Sequence, residues 1–299
     1  KGVPKSHVYS IVRSGQVRVN GRRADVSYRL QAGDVLRIPP LRVASVEQEM
    51  VAGAGLQVHV PIVYEDEGLL VVDKPAGIAV HGGSGESYGL VEALRRQRPE
   101  ARFLELAHRL DRETSGILLL GKKRSVLLAL HQMFREGGLA GSGRSADKRY
   151  LVLVCGRWME PLRSVRLPLL KYLLASGERR VRVADEGKAA HTVFRLLARW
   201  QRFSLLEAEL KTGRTHQIRV HLAHLGYPIA GDEKYGDFGL NRALAKEGLK
   251  RMFLHASRMR LPHPLEGREL VVEAAMPAAL KAFVDGLSAK EKQDYGKTV

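Results

Sequence analysis

Two stretches of the chain are almost purely apolar. Leu69 to Asp73 reads Leu-Leu-Val-Val-Asp, and Gly116 to Gly121 reads Ile-Leu-Leu-Leu between glycines. Runs this short, closed by turn residues or charges, predict buried strands. Ile62 to Tyr64, Tyr150 to Cys155, Val193 to Leu197, Phe203 to Leu210 and Leu270 to Glu273 predict further strands. Apolar residues at helical spacing predict helices over Ser6 to Ser14, Gly89 to Arg98, Ser125 to Phe134, Arg214 to Leu225 and Ala278 to Leu287. Near the start, Gln16 to Asn20 alternates polar and apolar, Asn20-Gly21 is a strong turn signal, and Val35 to Ile38 predicts a second strand before Pro39-Pro40.

Helices and strands follow one another irregularly, which predicts an α+β fold with a mixed, mainly antiparallel sheet rather than a βαβ repeat. Composition divides the chain into a small basic unit (1–42), a weakly periodic linker (43–60), a large unit (61–287) and a polar, charged tail (288–299) expected to be flexible. Gly137 to Ser145 is rich in Gly and Ser and predicts a mobile loop. The chain opens on Lys1 rather than Met, so a segment upstream is expected.

Charge sharpens the picture. Lys plus Arg number 49 against 32 Asp plus Glu in 299 residues, a net charge of +17. Such an excess, spread along the chain, points to a polyanionic partner, nucleic acid first, with a membrane surface or simple solubility as the other readings of the charge. A lone cysteine, Cys155, excludes an intrachain disulfide, and a reducing cytoplasmic setting is expected. Apolar runs fall far short of the roughly 20 residues a bilayer requires, so no membrane association is expected.

Three segments could carry chemistry. In His108-Arg109-Leu110-Asp111-Arg112-Glu113-Thr114-Ser115-Gly116 a carboxylate stands between two arginines just before an apolar strand. A carboxylate kept ionised in a basic groove could be a nucleophile or a general base, although a salt-bridged turn is the plainer reading of the spacing. In Thr212-Gly213-Arg214-Thr215-His216-Gln217-Ile218-Arg219 a turn enters a helix that Thr212 or Thr215 could cap. That helix start, with Arg214 and Arg219, would make an anion site for a phosphate or for Asp111, or merely a capped helix with solvated arginines. Lys148-Arg149-Tyr150 opens a strand with a phenol that suits stacking on a base, or that is simply a strand-end tyrosine.

These three runs, in their order along the chain, together with Asp73-Lys74-Pro75-Ala76-Gly77, His81-Gly82-Gly83 and Phe253-Leu254-His255-Ala256, resemble the RluA-type family of RNA pseudouridine synthases. Val17-Arg18-Val19-Asn20-Gly21 and Gly33-Asp34 resemble an S4 RNA-binding domain whose usual first helix would lie upstream of Lys1. The resemblance implies an enzyme that isomerises uridines in RNA, expected to be large-subunit ribosomal RNA, with no cofactor and no metal, as a monomer. The glycosidic bond to N1 breaks, the base turns, and C5 joins the sugar. The family's catalytic aspartate maps onto Asp111, its tyrosine onto Tyr150 and its basic partner, expected to pair with Asp111, onto Arg214. Ile218 would pack under the base, and Arg109 would fill the gap left in the RNA stack by the flipped uridine. His108, Lys148, Arg219, Arg22 and Arg23 complete the expected RNA-binding set. Tyr150 could act as a base only if its pKa fell below the ordinary phenol value of about 10.

Other readings are weaker. His216, His221 and His224 crowd one helix without a nearby carboxylate or cysteine, against a metal site. His81 to Gly85 lacks the Lys-Ser/Thr of a phosphate loop, Cys155 reads as a strand residue, and Trp158 and Trp200 read as packing. Two rival functions are a non-catalytic RNA binder and a base-releasing hydrolase. A pure binder has no use for Asp111, Tyr150 and Arg214 together, and the hydrolase would release free uracil.

Overall fold

A computed structural model describes residues 11–39, 59–82, 89–136, 146–174 and 178–296. The expected linker (43–60, save its last two residues), the Gly137 to Ser145 loop and the first half of the Ser6 to Ser14 helix lie outside the described residues. The chain divides into two compact units, Lys1–Gln57 and Val58–Val299.

In the first unit, residues 11–13 are helical and precede a three-stranded antiparallel sheet of β1 (Arg18–Val19), β2 (Arg22–Arg23) and β3 (Leu36–Arg37), in the order β2-β1-β3. Among the described residues, Ile11, Val17 and Val19 are buried in it. Asn20 and Gly21, at φ of 50° and 77°, make the tight turn that Asn-Gly signals. The Asn20 side chain also joins this turn to the next, donating to Asp34 Oδ1 at 2.7 Å and accepting from Val35 N at 2.9 Å. Register places Arg18 between Arg23 and Arg37, so three exposed arginines share one face, while Arg22 lies on the other face beside Val19.

The second unit is built on one large sheet. Its strands are β4 (Ile62–Glu65), β5 (Leu69–Lys74), β6 (Glu105–Leu106), β7 (Ser115–Gly121), β8 (Asp147–Cys155), β9 (Leu162–Arg166), β12 (His191–Arg199), β13 (Phe203–Leu210), β14 (Leu254–Pro262) and β15 (Glu269–Glu273). A separate hairpin pairs β10 (Leu169–Leu173) with β11 (Arg179–Val183). The main path runs β4-β5-β7-β14-β8-β13-β12-β9, with β6 on β7 and β15 on β14. Pairing is antiparallel except between β7 and β14, which run parallel.

The apolar runs of β5 and β7 are buried on both faces. Leu70, Val72, Leu118, Leu120, Val152 and Val154 pack with helix α1 (Leu90–Gln97) and helix α3 (Gln217–His224). The alternate residues Leu69, Val71, Ile117 and Leu119 pack with α2 (Arg124–Glu136). Leu153, Phe203 and Leu205 meet α4 (Phe238–Lys246) and α5 (Ala278–Gly296). Trp158 is fully buried against Phe194 and Tyr227, as a packing residue.

Every strand expected in this unit is present. The short β6, the half-exposed β9–β11, helix α4 and the nine-residue β14 were not read from the pattern; arginines on the exposed faces of β9, β11 and β14 mask their alternation. Helix α3 starts at Gln217 rather than Arg214. Helix α5 continues to Gly296, past the expected end at Leu287. Ser288 joins it, donating from Oγ to Val284 O at 3.3 Å and accepting from Trp200 Nε1 at 3.2 Å.

The parallel contact sets a steric limit. Gly116 on β7 has φ of 111°, and a Cβ there would lie 2.2 Å from the carbonyl oxygen of Ala256 on β14. Gly116→Ala is expected to cost about 3 kcal/mol or more by forcing the strands apart. Urea unfolding checks this; a variant as stable as the parent contradicts it.

Candidate active site

One register row leads to the site. Gly116 on β7 pairs with Ala256 on β14, Ala256 with Tyr150 on β8, Tyr150 with Ala208 on β13, and Ala208 with Phe194 on β12. Paired residues share a face, so the Tyr150 ring stands between two alanines. Ile218 of α3 packs in the same apolar cluster. A cavity of about 570 Å³ opens over this floor, lined by Tyr150, Ile218, Leu254 and Leu210 on its apolar side. Among the described residues, Asp111 is the one carboxylate that lines it.

Asp111 sits in the turn that leads into β7, where Thr114 N donates to its carbonyl at 3.1 Å. Its Oδ2 accepts from Arg219 Nη1 at 3.1 Å, and its Oδ1 lies 3.8 Å from His216 Nε2. Arg219 points the rest of its fork at Asp232, donating from Nε to Oδ2 and from Nη2 to Oδ1, both at 2.8 Å. Asp232 is also fixed by backbone donors at Lys234 and Tyr235. Side-chain exposure falls from 18 % at Asp111 to 9 % at Arg219 and 1 % at Asp232, so the chain of charges runs from the cavity into the protein. Burial works against both buried charges, yet the pairing outweighs it: Arg219 is held above and Asp232 below its ordinary pKa.

The expected Asp111–Arg214 pair is therefore replaced by Asp111–Arg219. Arg214 precedes the helix, is exposed, lines the cavity, and donates from Nε to the Ala189 carbonyl at 3.1 Å. Nor do Thr212 and Thr215 cap α3. The N-cap residue is His216, in the left-handed region at φ of 53° without a side-chain cap. Gln217 secures the turn instead. Its Oε1 accepts from Arg214 N at 3.0 Å and Thr212 Oγ1 at 2.7 Å, and its Nε2 donates to His191 O at 3.0 Å and Thr192 Oγ1 at 2.9 Å.

His216 faces Asp111 on one side and Tyr235 on the other, with Nδ1 2.7 Å from the phenol oxygen. That oxygen accepts from Val181 N at 3.0 Å. Burial pushes the imidazole down to about 4, which Asp111 opposes, and pushes the phenol up to about 12. A neutral imidazole that accepts the phenol's O–H at Nδ1 carries its own proton on Nε2, toward Asp111.

The other expected residues divide. Arg109 is exposed at the cavity rim. Lys148 lies over the Phe134 ring at 5.1 Å, and burial pushes its ammonium down. His108 lines the cavity, but its Nε2 accepts from Leu119 N of β7 at 3.1 Å, and burial holds it down near 3, so the ring is neutral and anchored. Tyr150 is displaced upward by burial and by the charge of Asp111, the opposite of what a phenolate base requires. His221 bonds Thr192 and Leu167, and among the described residues no cluster of His, Cys, Asp and Glu is arranged for a metal ion. Burial pushes the Cys155 thiol up to about 11, which keeps it protonated.

Two cations that sequence reasoning left without a role, one buried and one half-buried, clamp the Asp111 turn. Lys74, fully buried, donates to the carbonyls of Pro75 and Ile78 at 2.8 Å and of Arg112 at 3.0 Å. Arg251 donates from Nη2 to Ser115 Oγ at 2.8 Å and to Glu113 O at 3.4 Å. Asp232 was missed too. No local signal marks it: its need arises from α3, whose residues Gln217 to Leu222 are all buried in the fold, so that Arg219 demands partners.

Residues 68–224 match the RNA pseudouridylate synthase family, and residues 1–36 match the S4 domain. The chain is 51 % identical over 292 residues to ribosomal large subunit pseudouridine synthase C of Escherichia coli K12, covering 96 % of this chain and 89 % of that one. It is 48 % identical over 290 residues to the protein of the same name from Pasteurella multocida, covering 96 % and 87 %. In fold it is similar to human RNA pseudouridylate synthase domain containing 4, with a TM-score of 0.60 and 24 % identity over 80 % of this chain and 96 % of that one.

Two outcomes test the clamps. Asp232→Ala leaves Arg219 buried against one carboxylate and is expected to cost about 3–5 kcal/mol in urea unfolding; a loss under about 1 kcal/mol would show that water replaces the pair. Burial pushes Lys74 down to about 7. An unfolded lysine titrates near 10.4, so the unfolded chain binds the extra proton between about 7 and about 10, and stability rises with pH across that window. Lys74→Met should flatten this rise by on the order of a few kcal/mol, and an unchanged slope would assign it to another group.

Proposed function

The chain belongs to the RNA pseudouridylate synthase family and carries an S4 domain at its N-terminus, and from that premise we propose that it converts specific uridines of large-subunit ribosomal RNA to pseudouridine, with Asp111 as the catalytic carboxylate. The enzyme is an isomerase. The observation that carries the assignment of Asp111 is its place as the sole carboxylate, among the described residues, on a cavity with an aromatic and aliphatic floor. A volume of about 570 Å³ suits one flipped nucleotide.

The uracil ring lies against Tyr150, with Ile218 beneath it and Leu254 at its edge. This puts the ribose at Asp111. Arg219 orients the carboxylate while Asp232 holds Arg219, so the reacting group is set before RNA arrives. Tyr150 stays protonated near neutral pH and acts as a stacking platform rather than a base. Flipping the uridine costs a few kcal/mol, least in loops and bulges, and Arg109 at the rim fills the vacated place in the stack. Lys148 and Arg214 contact the strand along the cavity wall. Breaking one bond to the sugar and making another involves neither redox change nor phosphoryl transfer, so the reaction needs no metal or nucleotide cofactor.

The S4 unit (1–42) supplies a second hold on the RNA. Arg18, Arg23 and Arg37 stand side by side across three strands, an arrangement that repels itself until a polyanion covers it. Arg22 meets RNA from the opposite face. We place the protein in the cytoplasm, acting as a monomer.

Tritium release from C5-labelled large-subunit ribosomal RNA transcript, without cofactor, tests the proposal. The parent chain should release tritium and no free uracil, and Asp111→Ala should release none while binding RNA within a few-fold of the parent. Free uracil in the products would make the protein a hydrolase, and substantial turnover by Asp111→Ala would remove Asp111 from its role.

A further inference from the structure

A second cavity, of about 600 Å³, meets the first at Asp111, and Arg109, His216 and Arg219 line both. The two differ in chemistry. The first has Tyr150, Phe134 and several aliphatic side chains on its wall. Among the described residues the second has no aromatic ring beyond the imidazole of His216, and Arg112, Lys234, Lys250 and Arg251 join the shared arginines on its wall. Its acids are mostly committed. Asp111 and Asp232 hold Arg219, and Glu113 accepts from Arg112 Nε at 3.0 Å, which leaves Glu233 exposed.

Among the cations, Lys234 pairs with Glu178 at 2.7 Å and Arg251 points inward to Ser115. Arg109, at the rim shared with the first cavity, has no carboxylate partner among the described residues, and Lys250 is the second such cation. It is exposed, and among the described residues no carboxylate lies within 4.0 Å of its ammonium. Its placement is built. Helix α4 is followed by Glu247 as its C-cap and by Gly248 at φ of 104°, and Leu249 N returns to Leu244 O at 2.9 Å. This Schellman-type stop seats Leu249 in the core and turns the next residue out onto the cavity wall.

We propose that this second cavity is a phosphate subsite for the RNA strand beside the target uridine, with Lys250 as an unpaired cation on its wall. The inference rests on the isomerase reading above. In a nucleotide the ribose stands between base and phosphates. With the base on Tyr150 and the ribose at Asp111, the adjoining phosphodiester falls on the far side of Asp111, where the second cavity opens. A wall of cations without stacking surfaces recognises phosphate rather than a base. The subsite fixes how deeply the nucleotide enters, which sets the sugar against the carboxylate.

The test measures binding of the large-subunit ribosomal RNA transcript over a series of salt concentrations. Lys250→Ala should weaken binding several-fold and reduce the slope of log K against log salt by about 0.7 to 1, one phosphate contact. Lys250→Arg should restore both. Lys123→Ala is the charge-matched control; Lys123 is exposed beyond the far end of β7 and paired with Glu67. A short RNA spanning the modified uridine then carries a methylphosphonate on its 5′ or its 3′ flank. The neutral linkage should weaken wild-type binding on one flank and make no further difference to Lys250→Ala. A Lys250→Ala slope equal to that of Lys123→Ala, or equal methylphosphonate penalties in wild type and Lys250→Ala, would overturn the subsite. Tritium release by the wild-type preparation separates this from failure of the isomerase reading, because it is scored without reference to Lys250.

Discussion

Arg219 is a cation nearly stripped of water and shared by two carboxylates. A guanidinium in that position is costly unless its donors are filled, and it has a planar fork to fill. Asp232 takes two of those donors and Asp111 a third. The pairing therefore does two things at once. It makes a buried charge tolerable, and it transmits the rigidity of the interior to the one carboxylate left at the cavity. Were Arg219 bound to Asp111 alone, most of its donors would be buried without partners, and nothing would hold the guanidinium toward the cavity.

The rest of the site follows from keeping that pair in register. Helix α3 must present Arg219 inward, so it is buried almost all round, and its polar members Gln217 and His221 are fully bonded to β12 and the loop before β10. The Asp111 turn must come to meet it. Lys74 and Arg251 hold the turn from behind by successive carbonyls, at Arg112 and Glu113. The small residues Gly116, Ala256 and Ala208 leave space in the sheet where the Tyr150 ring lies.

Much of this was legible in the residue pattern. The buried strands β5 and β7 announce themselves because both faces are apolar, and α2 because its spacing is regular. The constellation of Asp111, Tyr150 and Ile218 could be named from its motifs. Which arginine meets Asp111 could not. Arg214 and Arg219 stand in one motif, and the choice between them depends on where the helix starts and on Asp232, a carboxylate in a later turn whose burial leaves no local trace. The phenol of Tyr150 shows the same limit. Its type and place could be read, but its proton affinity is set by burial among residues of four strands. Strands β9, β11 and β14 stayed hidden because their outward residues are charged, which blurs alternation without weakening pairing.

The parallel contact between β7 and β14 bears on the order of assembly. Ser115 and His255 bond side by side in the sheet although 140 positions separate them along the chain. Closing so long a loop is slow, and contacts of this kind form late in folding. During synthesis, at about 5–20 residues per second, the S4 unit is complete while most of the synthase unit is still untranslated. The Asp111 turn also emerges early, but Arg251 and the strand beside Gly116 come only in the last fifth of the chain. A nascent chain would thus have its basic S4 sheet long before the strand that closes beside the Asp111 turn, so the S4 unit is available to RNA before the synthase unit is.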